Sequence, residues 1–185
     1  PKELQENADI LLSIGGDGTL LNTITLIRNS GIPVLGINTG RLGFISSVST
    51  DQIDNAINQL LKKEYTHEER TLLQLETNNQ LFGETNFALN EVTVLKKDTS
   101  SMIRIHAFLD DEFLNSYWAD GLIVATPTGS TGYSLSCGGP IVVPGTENFI
   151  IAPIAPHNLN VRPVIVSEDR VLKLKVEDRD ELALV

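Results

Sequence analysis

The chain has 185 residues, 41% hydrophobic and 21% charged, enough to bury a real core as one large or two small domains. Its 14 basic and 24 acidic residues give a formal charge of −10, which argues against nucleic acid as the main partner and makes any phosphate site rely on backbone amides, a few placed cations or Mg2+. No apolar run approaches the length that spans a bilayer, and the one cysteine, Cys137, excludes an intrachain disulfide and fits a reducing cytoplasm.

Residues 1–7 read as the polar end of an earlier element, so a preceding segment is expected. Ile10 to Ile14 is short, apolar and branched, which predicts a strand buried on both faces of a parallel sheet. It empties into Gly15, Gly16, Asp17, Gly18 and Thr19, with a helix starting at Thr19. Glycines carry no Cβ, so backbone N–H groups can approach a ligand closely with a helix N-terminus behind them, a geometry that suits phosphate. Asp17 does not suit an anion cradle, because its carboxylate repels what the amides attract. A hydroxyl to deprotonate or a metal to hold would explain it, which makes Asp17 a candidate base. The alternative is a tight turn in which its side chain only caps the helix.

Leu20, Leu21, Ile24 and Ile27 recur at helical spacing, and Ser30-Gly31 ends that helix with the glycine as C-cap. Pro33 to Ile37 is a second strand, parallel to the first in a βαβ unit whose strand C-terminal ends share the edge where ligands collect. The stretch NTGRLGF at 38–44 leaves on that edge and is expected to wall the site, with Arg41 either a phosphate cation or solvated, and Phe44 either an aromatic face or core. Ser49 to Glu64 is an amphipathic helix with Ile53, Ile57, Leu60 and Leu61 on one stripe and a Ser49/Gln52 capping box.

From Glu68 the period becomes two, so the architecture changes near residue 66, giving an α/β domain at 1–66 and an all-β domain at 67–185. Ile103, Ile105, Ala107 and Leu109 share one strand face against Arg104, His106 and Phe108, which leaves His106 solvated. Asn78-Asn79 and Asp110-Asp111 are turn signals. Asn90-Glu91 stands where a plain strand prefers apolar residues, as a solvent-facing turn or as a pair that takes both hydroxyls of a ribose. Residues 119–140, ADGLIVATPTGSTGYSLSCGGP, read as a strand at Leu122 to Ala125, a hydroxyl-rich and glycine-rich loop, a short helix at Ser130 to Ser136 and a stop at Gly138-Gly139. Hydroxyls, amides and Tyr133 together can recognise a polar aromatic ligand such as a nucleotide. The block is neither a Walker loop nor a GxGxxG fingerprint. Cys137 within it reads as a small buried residue. From Ile150 two strands are joined by a proline-rich turn bearing His157, then come Val171, Leu172, Leu174 and Val176, and a last apolar run from Leu182 to Val185 suggests further chain.

Taken together, GGDGT at 15–19, NTGRLGF, Asn90-Glu91, the 119–140 block and PIAPHNLNVRP at 153–163 resemble the motifs of the NAD kinases in order and spacing. GGDGT alone is shared with lipid kinases and phosphofructokinases, whereas the 119–140 block is far more specific. Gly132 stands where alanine is common in that family, and Cys137 where a small apolar residue is expected. The resemblance implies a partial N-terminal Rossmann-like α/β domain carrying the GGDGT loop, followed by a mainly antiparallel β-sandwich. It also implies transfer of the γ-phosphoryl group of ATP, with Mg2+ or another divalent cation, to the 2′-hydroxyl of the adenosine ribose of NAD. By resemblance Asp17 deprotonates that hydroxyl, Gly15, Gly16, Gly18 and Thr19 meet the phosphate, and Asp17 and Gly18 also touch NAD. Asn90 and Glu91 would hold the adenosine with Phe44 along its base. Asp120, Thr128, Thr131, Gly132, Tyr133 and Ser136 would line the dinucleotide pocket, and His157 and Arg162 match the last motif. A cytoplasmic homodimer or homotetramer with sites shared between subunits is implied, with no metal ligand assigned to the protein. A lipid kinase or a non-catalytic NAD-binding sensor are the alternatives, and the donor, ATP or polyphosphate, is left open.

Overall fold

The computed structural model describes residues 7–40, 43, 45, 48–97 and 101–177, and the backbone of 182–184. The chain divides into two compact units, Pro1–Glu69 and Arg70–Val185. Among the described residues no helix is long and apolar enough to cross a membrane.

The first unit is a parallel sheet of three strands, β1 (Leu11–Gly15), β2 (Val34–Asn38) and β3 (Val48–Ser49), in that order. It carries the helices α1 (Asp17–Ile27) and α2 (Ile53–Lys62). β1 and β2 pair from Leu11 with Val34 to Gly15 with Asn38, so both strands deliver their ends to one edge, as the βαβ reading requires.

Four local expectations are corrected here. β1 is not buried on both faces. Its buried residue is Ser13 at 4% exposure, whereas Leu12 and Ile14 are 39% and 60% exposed. The covered face is the one under α1, where Thr23 Oγ1 sits 3.0 Å from Ser13 Oγ. α1 starts at Asp17 rather than Thr19, because the Gly16 carbonyl accepts from both Thr19 N–H and Leu20 N–H. It ends at Ile27 rather than at Gly31. Ile27 is its last buried side chain, and Arg28 then turns the chain at φ 49°. The Ser49/Gln52 capping box does not form, since neither side chain caps the 3-10 turn Thr50–Gln52 or α2, and Leu61 is 78% exposed.

In the second unit the strands are β4 (Leu73–Gln74), β5 (Phe87–Ala88), β6 (Glu91–Lys96), β7 (Ile103–Leu109), β8 (Glu112–Ala119) and β9 (Gly121–Ala125). A 3-10 turn (Thr128–Thr131) and the short helix α3 (Tyr133–Ser136) follow, then β10 (Asn148–Ile154), β11 (Val164–Ser167), β12 (Leu172–Glu177) and β13 (Leu182–Leu184). β4 and β5 form a separate antiparallel pair. A five-stranded antiparallel sheet, ordered β11-β10-β9-β6-β13, faces a three-stranded one, β12-β7-β8. Val94, Leu122, Ile151 and Val166 from the first meet Ile103, Ile105, Ala107 and Tyr117 from the second, which makes the sandwich core. The opposite face of the larger sheet, Ile123, Ala125, Ile150 and Ala152, packs against Cys137 and Val142, so β9 is buried on both sides. The fold is therefore an α/β unit followed by a mainly antiparallel β-sandwich.

The period-two reading of β7 holds, and the β7–β8 hairpin turns at Asp110 and Asp111, both at positive φ as a two-residue primed turn requires. The Val171 N–H at 2.8 Å and the Arg170 guanidinium hold the Asp110 carboxyl below its usual range. His106 is not simply solvated: Nδ1 lies 2.6 Å from Ser116 Oγ, and Nε2 lies 3.1 Å from Glu177 Oε1. It bridges strands that were remote in sequence.

Candidate functional site

Two constellations carry chemistry, one in each unit. In the first, Gly15–Thr19 leaves β1 at the edge shared with β2. Gly16 is the helix N-cap in extended conformation, and Asp17 is the first helical residue. Among the described residues, a Cβ added to Gly16 or Gly18 would meet nothing within 4 Å, so the backbone there leaves room for a ligand. A Cβ at Gly15 would lie 2.2 Å from Thr19 Oγ1, so that glycine is needed for the turn to close. The first N–H groups of any helix lack intrahelical acceptors and carry its positive end, which together favour phosphate.

Asp17 is not a side-chain cap; Gly16 holds the cap position. The Asp17 carboxylate instead accepts from Ile45 N–H at 3.3 Å. A Cβ at Gly43 would come within 2.2 Å of Asp17 Oδ1, so residue 43 can approach the carboxylate this closely only as glycine. Asn38, 3% exposed, shapes the turn at 38–40 by accepting from Gly40 N–H at 2.8 Å. Arg41 and Phe44 lie outside the described residues. Gly43 was overlooked by the sequence reading, although it stands inside a motif that the reading singled out.

In the second unit Asn90-Glu91 is not a solvent-facing turn. Asn90 Oδ1 and Glu91 Oε2 are buried and, among the described residues, without a hydrogen-bond partner. The 128–136 segment lies directly over them. Thr126 N–H donates to the Asn90 carbonyl at 2.9 Å, and a Cβ at Gly129 would lie 2.0 Å from that same oxygen. Burial raises the Glu91 carboxyl above its usual range, opposed by a hydrogen bond from the Tyr133 N–H. Gly132 also touches it, since a Cβ there would come within 3.1 Å of Glu91 Oε2. Buried acceptors are normally satisfied, so two unsatisfied oxygens on consecutive residues leave room for donors from outside the fold. Two vicinal hydroxyls supply that pattern.

The loop is held by its own hydroxyls. Thr126 Oγ1 donates to the Leu89 carbonyl at 2.5 Å and accepts from Gly129 N–H at 3.1 Å. Ser130 Oγ accepts from Val142 N–H at 2.8 Å. Arg70 Nη1 reaches Thr128 Oγ1 at 3.3 Å, a cation beside the loop that sequence reasoning missed. Thr128 is buried, Thr131 and Gly132 are half-buried, and Tyr133 and Ser136 are exposed. Burial and the Glu91 charge push the Cys137 thiol up, which suits a packed residue rather than a nucleophile.

Family comparison decides what these constellations belong to. The description "ATP-NAD kinase N-terminal domain" matches residues 1–65, and "ATP-NAD kinase C-terminal domain" matches residues 89–185. The chain belongs to the NAD kinase family.

A NAD kinase of Cytophaga hutchinsonii is 55% identical over 177 residues, covering 96% of this chain and 61% of that protein. One of Flavobacterium psychrophilum is 53% identical, covering 100% and 63%. The chain thus spans about three fifths of the curated relatives it matches. Among solved structures, a NAD kinase from Archaeoglobus fulgidus in complex with ATP has a TM-score of 0.84 at 33% identity, over 99% of this chain and 70% of that one. Yeast NADH kinase complexed with NADH has a TM-score of 0.85 at 29% identity, over 100% and 55%.

The residues that the NAD kinase resemblance assigned to the dinucleotide do not all gather in one place. Asn90, Glu91, Thr128, Thr131, Gly132, Tyr133 and Ser136 belong to the end of β9 where Ala125 pairs with Glu91. Asp120 and His157 belong to the other end, where Gly121 pairs with Ile154, roughly 13 Å away at a strand's rise per residue. There Asp120 pairs with Lys96 Nζ at 2.6 Å, and His157 stacks on Trp118 at 4.3 Å between ring centroids. Arg162 spends its guanidinium on the carbonyls of Leu159 and Val161 in its own turn.

Proposed function

We propose that the whole protein is an ATP-dependent NAD kinase, transferring the γ-phosphoryl group of ATP to the 2′-hydroxyl of the adenosine ribose of NAD. The observation that carries the reading is the pair of buried, unsatisfied acceptors on Asn90 and Glu91 under a glycine-rich and hydroxyl-rich loop. A ribose offers two neighbouring hydroxyl donors to such a pair. The ATP and NADH in the two structural relatives are ligands of the kinds this reading requires.

In this proposal Asp17 takes the proton of the attacking hydroxyl, and the open backbone of Gly16 and Gly18 meets the phosphoryl oxygens. Phosphoryl transfer depends chiefly on positioning and charge neutralisation. Mg2+ or another divalent cation is proposed as part of the MgATP substrate. Asp17 offers the hard oxygen donor that such an ion takes, and among the described residues no group of three His, Cys, Asp or Glu side chains stands ready to hold one. Asp120 and His157, at the far end of β9, are proposed to serve the site of a neighbouring subunit in a homodimer or homotetramer. The single thiol supports a cytoplasmic setting.

A coupled assay on the full-length parent tests this, with NAD, ATP and Mg2+ supplied and NADP measured. NADP formation is expected. Phosphorylation of a lipid headgroup instead would favour the lipid kinase, and NAD binding without ATP consumption the sensor. Exchanging ATP for polyphosphate, or NAD for NADH, settles donor and acceptor preference.

A further inference from the structure

We propose that Trp118 is a specificity-determining residue: its indole, backed by His157, is the shelf on which the oxidised nicotinamide ring of the dinucleotide stacks. The inference rests on the NAD kinase reading, which assigns Asp120 and His157 to the dinucleotide, and adds an exposed indole to that corner.

Trp118 is the one tryptophan of the 185 residues. It lies on the outer face of β8 between Tyr117 and Ala119, which are 1% and 0% exposed, yet it leaves 48% of its own surface in solvent. The indole is not loose. The His157 ring stacks on it with 26° between planes, and the His157 N–H donates to the Trp118 carbonyl at 2.8 Å, so ring pair and backbone are fixed together. Two residues on, Asp120 is fixed as firmly. Its N–H donates to the Ile154 carbonyl at 2.9 Å, its carbonyl accepts from Lys96 N–H at 3.0 Å, and its carboxylate pairs with Lys96 Nζ. Arg104, the cross-strand neighbour of Trp118, is engaged by Glu177 at 3.6 Å. A rigid, half-exposed indole therefore stands two residues before a held carboxylate.

The chemistry selects the ring. An indole face attracts planar and cationic partners, by offset stacking and by the ring quadrupole. Oxidised nicotinamide is a planar pyridinium cation. Its reduced form is neutral and loses the charge contribution. Trp118 accordingly favours NAD over NADH, whereas Asn90 and Glu91 meet the adenosine, which is the same in both.

The test compares the full-length wild type with Trp118→Leu and Trp118→Phe, reading kcat and KM for NAD, NADH and ATP, with nicotinamide mononucleotide as a direct probe of indole fluorescence. In Trp118→Leu the KM for NAD is expected to rise about tenfold and the KM for NADH by a smaller factor, with kcat and the KM for ATP within about twofold. Trp118→Phe is expected to recover most of the loss, which a folding defect would not. Nicotinamide mononucleotide is expected to quench emission in the wild type but not the remaining emission of Trp118→Leu. An unchanged KM for NAD in Trp118→Leu overturns the shelf while leaving the kinase reading intact, and equal losses for NAD and NADH overturn it too. A wild type that makes no NADP while the mononucleotide still quenches Trp118 ends the kinase reading and leaves the shelf standing.

Discussion

The two glycine-rich turns of this chain use the same residue for opposite ends. At Gly16 and Gly18, both exposed, an added Cβ would meet nothing among the described residues. At Gly129 it would strike the Asn90 carbonyl at 2.0 Å, in a loop where Thr126 and Ser130 are fully buried. The first turn keeps space for a ligand, while the second uses glycine to press one stretch of chain onto another and aim Asn90 and Glu91. A division of labour follows. In the proposed function the first unit would supply the reacting end and the second would supply recognition.

Substitutions can break or sharpen that contrast. The largest effect is expected from Asp17→Asn, which removes the proposed base and should lower kcat by roughly 10²–10⁴-fold in the NADP-forming assay. Gly43→Ala comes next. Its Cβ would fall on the Asp17 carboxylate, and displacing a reacting group by an ångström costs on the order of 10²-fold, so kcat should fall while the KM for NAD stays near the wild-type value. Gly129→Ala attacks the other side of the contrast. The loop must shift, so a loss of about 1–3 kcal/mol in denaturant melts and a clear rise in the KM for NAD are expected. Gly132→Ala is the control, since its nearest contacts of 3.1 Å need only a small adjustment, and near-normal KM is expected.

A modest effect is expected on thermal stability at Glu91. Burial raises the folded pKa of Glu91 above its unfolded value, so its ionised form opposes folding. Its favourable contribution is complete below the unfolded pKa and is lost as pH rises through the folded one. Glu91→Gln should therefore raise Tm at pH 7 by roughly 1–4 °C, with the gain fading in acid, while the KM for NAD increases. Thermal melts at the two pH values check it.

What could be read from the residues alone follows from how local each signal is. The βαβ order, the alternation along β7 and the Asp110-Asp111 turn are set by neighbours in sequence, and they appear where expected. The burial of Asn90-Glu91 was not legible, because it is made by residues 126–133 folding back over some 40 positions. Ser13 is buried because Thr23 on α1 covers it, which no strand propensity encodes. His106 found partners on β8 and β12, and Trp118 met His157, through registers fixed only when the sheet forms. Glycine contacts were the subtlest. Gly43 and Gly129 were visible as motif letters, but the atoms they leave room for were not.

The most direct test of the division between reaction and recognition is calorimetric titration of NAD into full-length Asp17→Asn. The account expects a Kd within about threefold of the wild type alongside the lost turnover, because the recognition residues are untouched. Loss of NAD binding in step with turnover would contradict it, and would make Asp17 part of the recognition surface rather than the base.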